Sequence, residues 1–110
     1  MSSKPPANVA RIARNALERR KKLPPSRRGG TAVGVKRASQ LAAQQPVSEE
    51  TLKRMNSFFA RHEKSPGSAK NRRASRSTKA SQAWALWGGS AGRAWAKREL
   101  RKIERAKKRK

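Results

Sequence analysis

Val47-Ser-Glu-Glu-Thr-Leu-Lys-Arg-Met-Asn-Ser-Phe-Phe-Ala-Arg-His-Glu63 carries the strongest local signal in the chain. The Ser48 hydroxyl is suited to capping a helix N-terminus, and Glu49 and Glu50 follow in the first turn, where the helix dipole favours negative charge. Val47 is placed to staple against Leu52. Leu52, Met55, Phe58, Phe59 and His62 then fall on one face at i, i+3, i+6, i+7 and i+10. The spacing predicts a helix over 49–63, and because it holds both phenylalanines of the chain it is expected to be the hydrophobic centre of the fold.

Upstream, Thr31 can cap a helix of about 32–44, with Val35, Ala38, Leu41 and Ala42 on one face and Gln44-Gln45-Pro46 ending it. Gly34 costs this helix about 1 kcal/mol against Ala. Farther upstream, Val9, Ile12, Ala13, Ala16 and Leu17 recur at helical spacing between Pro5-Pro6 and Leu23-Pro24-Pro25, predicting a helix over 7–22. Its narrow, Ala-rich stripe makes it marginal on its own, to be ordered against the core or a phosphate backbone. Ser26-Arg27-Arg28-Gly29-Gly30 reads as a loop. Downstream, 64–79 is a Ser/Arg/Lys segment with no apolar side chain larger than Ala, expected to be a flexible loop. Ala83, Trp84 and Trp87 repeat at helical spacing over 79–87 before Gly88-Gly89. Ser90 can then cap a last helix from 91 to the low 100s, with Trp95, Ala96, Leu100 and Ile103 on one face and Glu104 able to pair with Lys108.

The whole chain has 110 residues, 30 Lys and Arg against 6 acids, all Glu, and a net charge of +24. Residues 1–47 carry +10, 48–64 +1, 65–83 +5 and 84–110 +8, so basic arms and a basic linker surround one nearly neutral segment. Leu, Ile, Val and Phe total only 14, so any core is small. Too few β-branched and aromatic residues are present for a two-sided β fold, and no stretch approaches the roughly 18 continuous apolar residues of a membrane span. The most basic stretches also lack the opposing large apolar face of a membrane-surface helix. No continuous apolar run marks the start as a secretory signal. Self-repulsion at this charge density opposes compaction, and a polyanion relieves it by exchanging condensed counterions for Lys and Arg side chains.

Catalysis finds little to work with: one His, no Cys, no Tyr and no Asp. His62 and Glu63 could serve a small nuclease, but neighbouring helix positions diverge by about 100° and do not aim at one point. His62 instead completes the apolar face of its helix. No carboxylate or imidazole cluster has metal-ligand spacing, so no cofactor is expected. Gly29-Gly30-Thr31 and Gly88-Gly89-Ser90 read as turns and caps and lack the Lys-Ser/Thr ending of a nucleotide loop. The first, flanked by Arg27 and Arg28, could also rest a backbone phosphate on the helix that follows. The helical spacing of Trp84, Trp87 and Trp95 fits burial better than stacking on bases.

The blocks RMNSFFARHE (54–63) and AWALWGGSAGRAWA (83–96), with RGGTAVGVKRASQLA (28–42) ahead of them, resemble a small module of unassigned function encoded by tailed bacteriophages, prophages and large DNA viruses. The resemblance covers about residues 28–97. It implies a helical fold and a phage or prophage origin, and no catalytic residue. Two departures are visible: the linker at 64–79 is basic where relatives often carry Gly and acidic residues, and Ser90 stands where Asp is frequent.

The expected protein is a small all-α domain of four to five short helices with basic, partly disordered termini. Residues 1–30 form a basic extension with one marginal helix, 31–103 the helical domain with its flexible loop, and 104–110 a basic tail. The expected function is non-catalytic binding of nucleic acid, DNA rather than RNA, with low sequence selectivity, serving a phage genome or its packaging in host cytoplasm or virion. One contact surface is Arg11, Arg14, Arg19, Arg20, Lys21, Lys22, Arg27 and Arg28. The other is Lys97, Arg98, Arg101, Lys102, Arg105, Lys107, Lys108, Arg109 and Lys110. The alternative is a virion assembly module docking on an acidic protein. No membrane and no small-molecule substrate is expected.

Overall fold

The helix capped by Ser48 forms as the sequence predicts: the Ser48 Oγ accepts from the Thr51 N–H at 3.2 Å, and Leu52, Met55 and Phe59 are wholly buried. In the computed structural model, which describes residues 2–62 and 79–108, this is the third of five α-helices among the described residues. They are α1 (Ala7–Lys22), α2 (Ala32–Ala42), α3 (Glu49–His62), α4 (Lys79–Leu86) and α5 (Gly89–Lys108). The protein is a small all-α domain. The expected flexible loop lies outside the described residues except for Lys79, which opens α4.

α3 and α5 run antiparallel. Glu49, at the start of α3, accepts a hydrogen bond from Lys107 near the end of α5, while at the other end a Cβ on Gly92 would stand 3.7 Å from the Phe59 ring. This bond holds the Glu49 carboxyl below its usual range, against the opposing effect of burial; the charges of Lys107, Lys53 and the N-terminus add to it. The contribution is therefore present at neutral pH and fades as acid protonates the carboxylate. α5 reaches Lys108 instead of ending in the low 100s. Buried Ile103 and the Glu49–Lys107 bond anchor its last turns, and its terminal cations suit the negative end of the dipole.

The α4–α5 turn needs its glycines. Gly88 and Gly89 have φ of +101° and +63°, a region that favours residues without a Cβ. A side chain at Gly92 would place Cβ 2.6 Å from the Trp87 carbonyl oxygen. Because the Gly88 carbonyl already accepts from the Gly92 N–H at 2.9 Å, α5 begins at Gly89, ahead of the expected Ser90 cap.

The largest departure from the sequence expectation is at the N-terminus. The boundary drawn at residue 30 marks no change in packing: Val9, Ala13 and Ala16 of α1 belong to the same buried cluster as Leu41, Phe59 and Trp95. The helix predicted over 7–22 forms as Ala7–Lys22, and its narrow Ala-rich stripe, marginal in isolation, is ordered against the core, where small side chains permit close interhelical approach. Ahead of α1, Ser2–Ser3 (β1) pairs antiparallel with Val47–Ser48 (β2), Ser2 opposite Ser48 and Ser3 opposite Val47. The Gln44 Nε2 donates to the Pro5 carbonyl at 3.0 Å, tying this arm to the end of α2. α2 itself stops at Ala42, and Gln44 adopts φ +54° in the turn that follows.

Candidate nucleic-acid interface

α1 buries Val9, Ala10, Ala13 and Ala16, which leaves Arg11, Arg14, Arg19, Lys21 and Lys22 exposed. Glu18 lies among them, 3.8 Å from Lys21 with both side chains mostly exposed, a pair too solvated to neutralise the surface. Arg27 is exposed on a single 3₁₀ turn, Pro25–Arg27.

Arg20 and Arg28, counted with the contact surface from sequence, do other work. Arg28 Nε donates to the carbonyls of Leu23 (2.9 Å) and Arg20 (3.1 Å), and its Nη2 to that of Lys21 (3.3 Å). It thus caps the C-terminal carbonyls of α1, which have no helical partners. Arg20 Nε donates to the Gly29 carbonyl at 3.0 Å. Gln82, buried on α4, closes the same corner: its Oε1 accepts from the Gly29 N–H at 2.7 Å and its Nε2 donates to the Arg27 carbonyl at 3.0 Å. Arg28→Ala is accordingly expected to cost about 1–3 kcal/mol of stability, as charged hydrogen bonds to backbone do. Thermal unfolding checks this, with Arg101→Ala, which makes no such bond, expected near zero.

On α5, Lys97, Arg98, Arg101, Arg105 and Lys108 are exposed on the side away from buried Trp95, Ala96 and Ile103. Two further cations assigned to this surface are engaged: Lys102 pairs with Glu99 at 3.1 Å, where Glu99 is largely buried, and Lys107 pairs with Glu49. The expected Glu104–Lys108 pair is not among the ion pairs of the described residues. Arg109 and Lys110 lie outside those residues.

The sequence reading missed a third cationic surface because it lies on α3, in the segment whose net charge is nearly zero. Lys53, Arg54 and Arg61 edge a groove of about 1020 Å³ between the start of α2, α3 and α4. Its apolar lining includes Val33, Phe58, Ala83 and Trp87. Among the described residues Val33 is the large hydrophobic side chain left exposed, at 54%. Glu50 is the one acid on the lining and is bonded to Arg54 at 3.1 Å.

Behind this groove the rings form a stack. Phe58 is stacked on His62 (centroids 4.2 Å apart) and on Trp87 (4.7 Å), and the Arg37 guanidinium lies 5.7 Å from the Trp87 centroid, a cation–π distance. Burial and then the neighbouring Arg54 charge lower the Arg37 pKa, but guanidinium stays protonated. Phe59 packs edge-on against Trp84 at 4.8 Å. His62 Nδ1 stands 2.8 Å from the Phe58 carbonyl oxygen, which can only accept, so this nitrogen carries the proton. The imidazole is thus held by its own helix, as the apolar-face reading expects. Glu63 lies outside the described residues.

Among the described residues, no group of three or more His, Cys, Asp or Glu side chains is placed to hold a metal ion, and no helix is long and apolar enough to cross a membrane. Comparison with protein-family models, curated proteins and solved structures gives no match to this chain.

Proposed function

We propose that this protein binds nucleic acid through the phosphate backbone, without catalysis and with little sequence selectivity. The observation that carries the reading is that α1 and α5 each bury one face in the core and leave on the other a row of cations that outnumbers its exposed carboxylates, Glu18 on α1 and Glu104 on α5. A helix needs no such row to fold. At +24 the chain repels itself, and a polymer of phosphates relieves that repulsion while releasing condensed counterions. Backbone contacts carry no base information, hence the low selectivity. The contact residues are Arg11, Arg14, Arg19, Lys21, Lys22 and Arg27 on one side, and Lys97, Arg98, Arg101, Arg105 and Lys108 on the other. DNA rather than RNA, that of a phage genome in host cytoplasm or virion, is the target of this reading.

The test is a gel shift with nuclease-treated, nucleic-acid-free protein on duplex and single-stranded DNA and RNA. Binding to unrelated sequences with similar affinity is expected. Replacing Arg98, Arg101, Arg105 and Lys108 with Glu should weaken it by well over tenfold without altering the far-ultraviolet circular dichroism. Failure to bind any of these polymers at physiological ionic strength would remove this reading.

A further inference from the structure

We infer that the groove between α2, α3 and α4 is a docking site for a protein partner, and that it takes an acidic peptide segment carrying an apolar side chain. The surface is separate from the rows on α1 and α5, and it differs from them in chemistry. Those rows are charge alone; the groove sets three cations, Lys53, Arg54 and Arg61, around an apolar bed that includes exposed Val33. With Glu50 counted, the charges on its lining sum to +2. An apolar anchor flanked by carboxylates matches both halves of this lining at once.

The other occupants fit less well. A nucleobase needs an open ring face to stack on. Phe58 is sandwiched between His62 and Trp87, Trp87 has Arg37 over its indole, and the two rings are only 6% and 8% exposed. They offer edges, which bear the positive end of the ring quadrupole and suit carboxylate and aliphatic neighbours. The chain's own segment 64–78 has no aliphatic or aromatic side chain larger than Ala, Pro66 apart, to fill an apolar bed, and it is itself basic. A second copy brings +24 and no acidic run, its six Glu being scattered at 18, 49, 50, 63, 99 and 104. An acidic protein remains.

The experiment titrates the full chain, labelled with ¹⁵N, with the synthetic peptide acetyl-Asp-Glu-Leu-Phe-Glu-Asp-amide and with a control in which Leu-Phe is Ala-Ala. The amides of Thr31, Val33 and Ser57 should shift, and the peptide should bind about tenfold more tightly than the control. Val33→Asp, at a position exposed enough to leave the fold intact, should lower affinity about tenfold or more by removing the apolar contact and adding a like charge. The double variant Arg101→Glu, Arg105→Glu should leave peptide affinity within about twofold while weakening DNA binding. Equal binding of the control, or an unaffected Val33→Asp, overturns the inference and reduces the contact to bulk charge. A short oligothymidylate that shifts the same amides and displaces the peptide also overturns it, and assigns the groove to the nucleic-acid surface. DNA binding by the α1 and α5 rows stands or falls separately in each case.

Discussion

Raising the salt from 50 to 200 mM is expected to weaken binding to duplex DNA by about 10³–10⁵-fold, the loss that follows from neutralising roughly 6–10 phosphates. The exposed cations of α1, the 3₁₀ turn and α5 supply more than enough for that number. Each engaged phosphate contributes a slope of about −0.9 in log affinity against log salt. Removing the α5 row should therefore flatten the slope by roughly one for each phosphate that is no longer neutralised. Arg28→Ala should leave the slope unchanged, because that guanidinium is held by the carbonyls of Arg20, Lys21 and Leu23. The comparison separates cations that face solvent from those that hold the fold together, which a count of basic residues does not do. A flat salt response would exclude phosphate binding as the source of affinity.

Phe59→Ala is expected to cost about 3–5 kcal/mol, the usual range for deleting a buried phenylalanine. Small domains hold only about 5–15 kcal/mol in total, so this single change removes a large part of the stability. Phe59 is wholly buried and packs edge-on against both Phe58 and Trp84. It also stands opposite Gly92, so three helices meet on its ring. With Leu, Ile, Val and Phe numbering 14 in the chain, few neighbours are large enough to collapse into the space it leaves. The melting temperature should fall by ~12 °C or more. Val33→Asp, in contrast, should melt within a few degrees of the parent. A Phe59→Ala protein that melts like the parent would mean that the core lies elsewhere.

Much of this was legible in advance, because local rules govern it. Ser48 and the run from Leu52 to Phe59 announce α3 through capping and period, and Gly88-Gly89 announces a turn that the positive φ values bear out. Boundaries moved where a tertiary contact outweighed the local signal. α5 runs to Lys108 because Glu49, 58 positions away, holds Lys107. The two-residue pairing of Ser2–Ser3 with Val47–Ser48 left no trace in either segment, since neither has a strand pattern of its own. The third cationic surface was hidden by averaging: Lys53, Arg54 and Arg61 share their segment with Glu49, Glu50 and Glu63, so net charge nearly cancels, although Glu49 is turned to Lys107 and, among the described acids, only Glu50 lines the groove with them.

The amino-acid order alone therefore determined that the chain is helical, where its helices centre, and that it is overwhelmingly cationic. These follow from spacing, capping and composition, which act over a few residues or over none. Only the tertiary structure decided which cations are available. Arg28 is spent on the end of α1, Lys102 and Lys107 on glutamates, and Arg37 on an indole, while Lys53, Arg54 and Arg61 are gathered around an exposed valine. A charge is the same in the text wherever it stands; what it can bind depends on which partner the fold has already brought within reach.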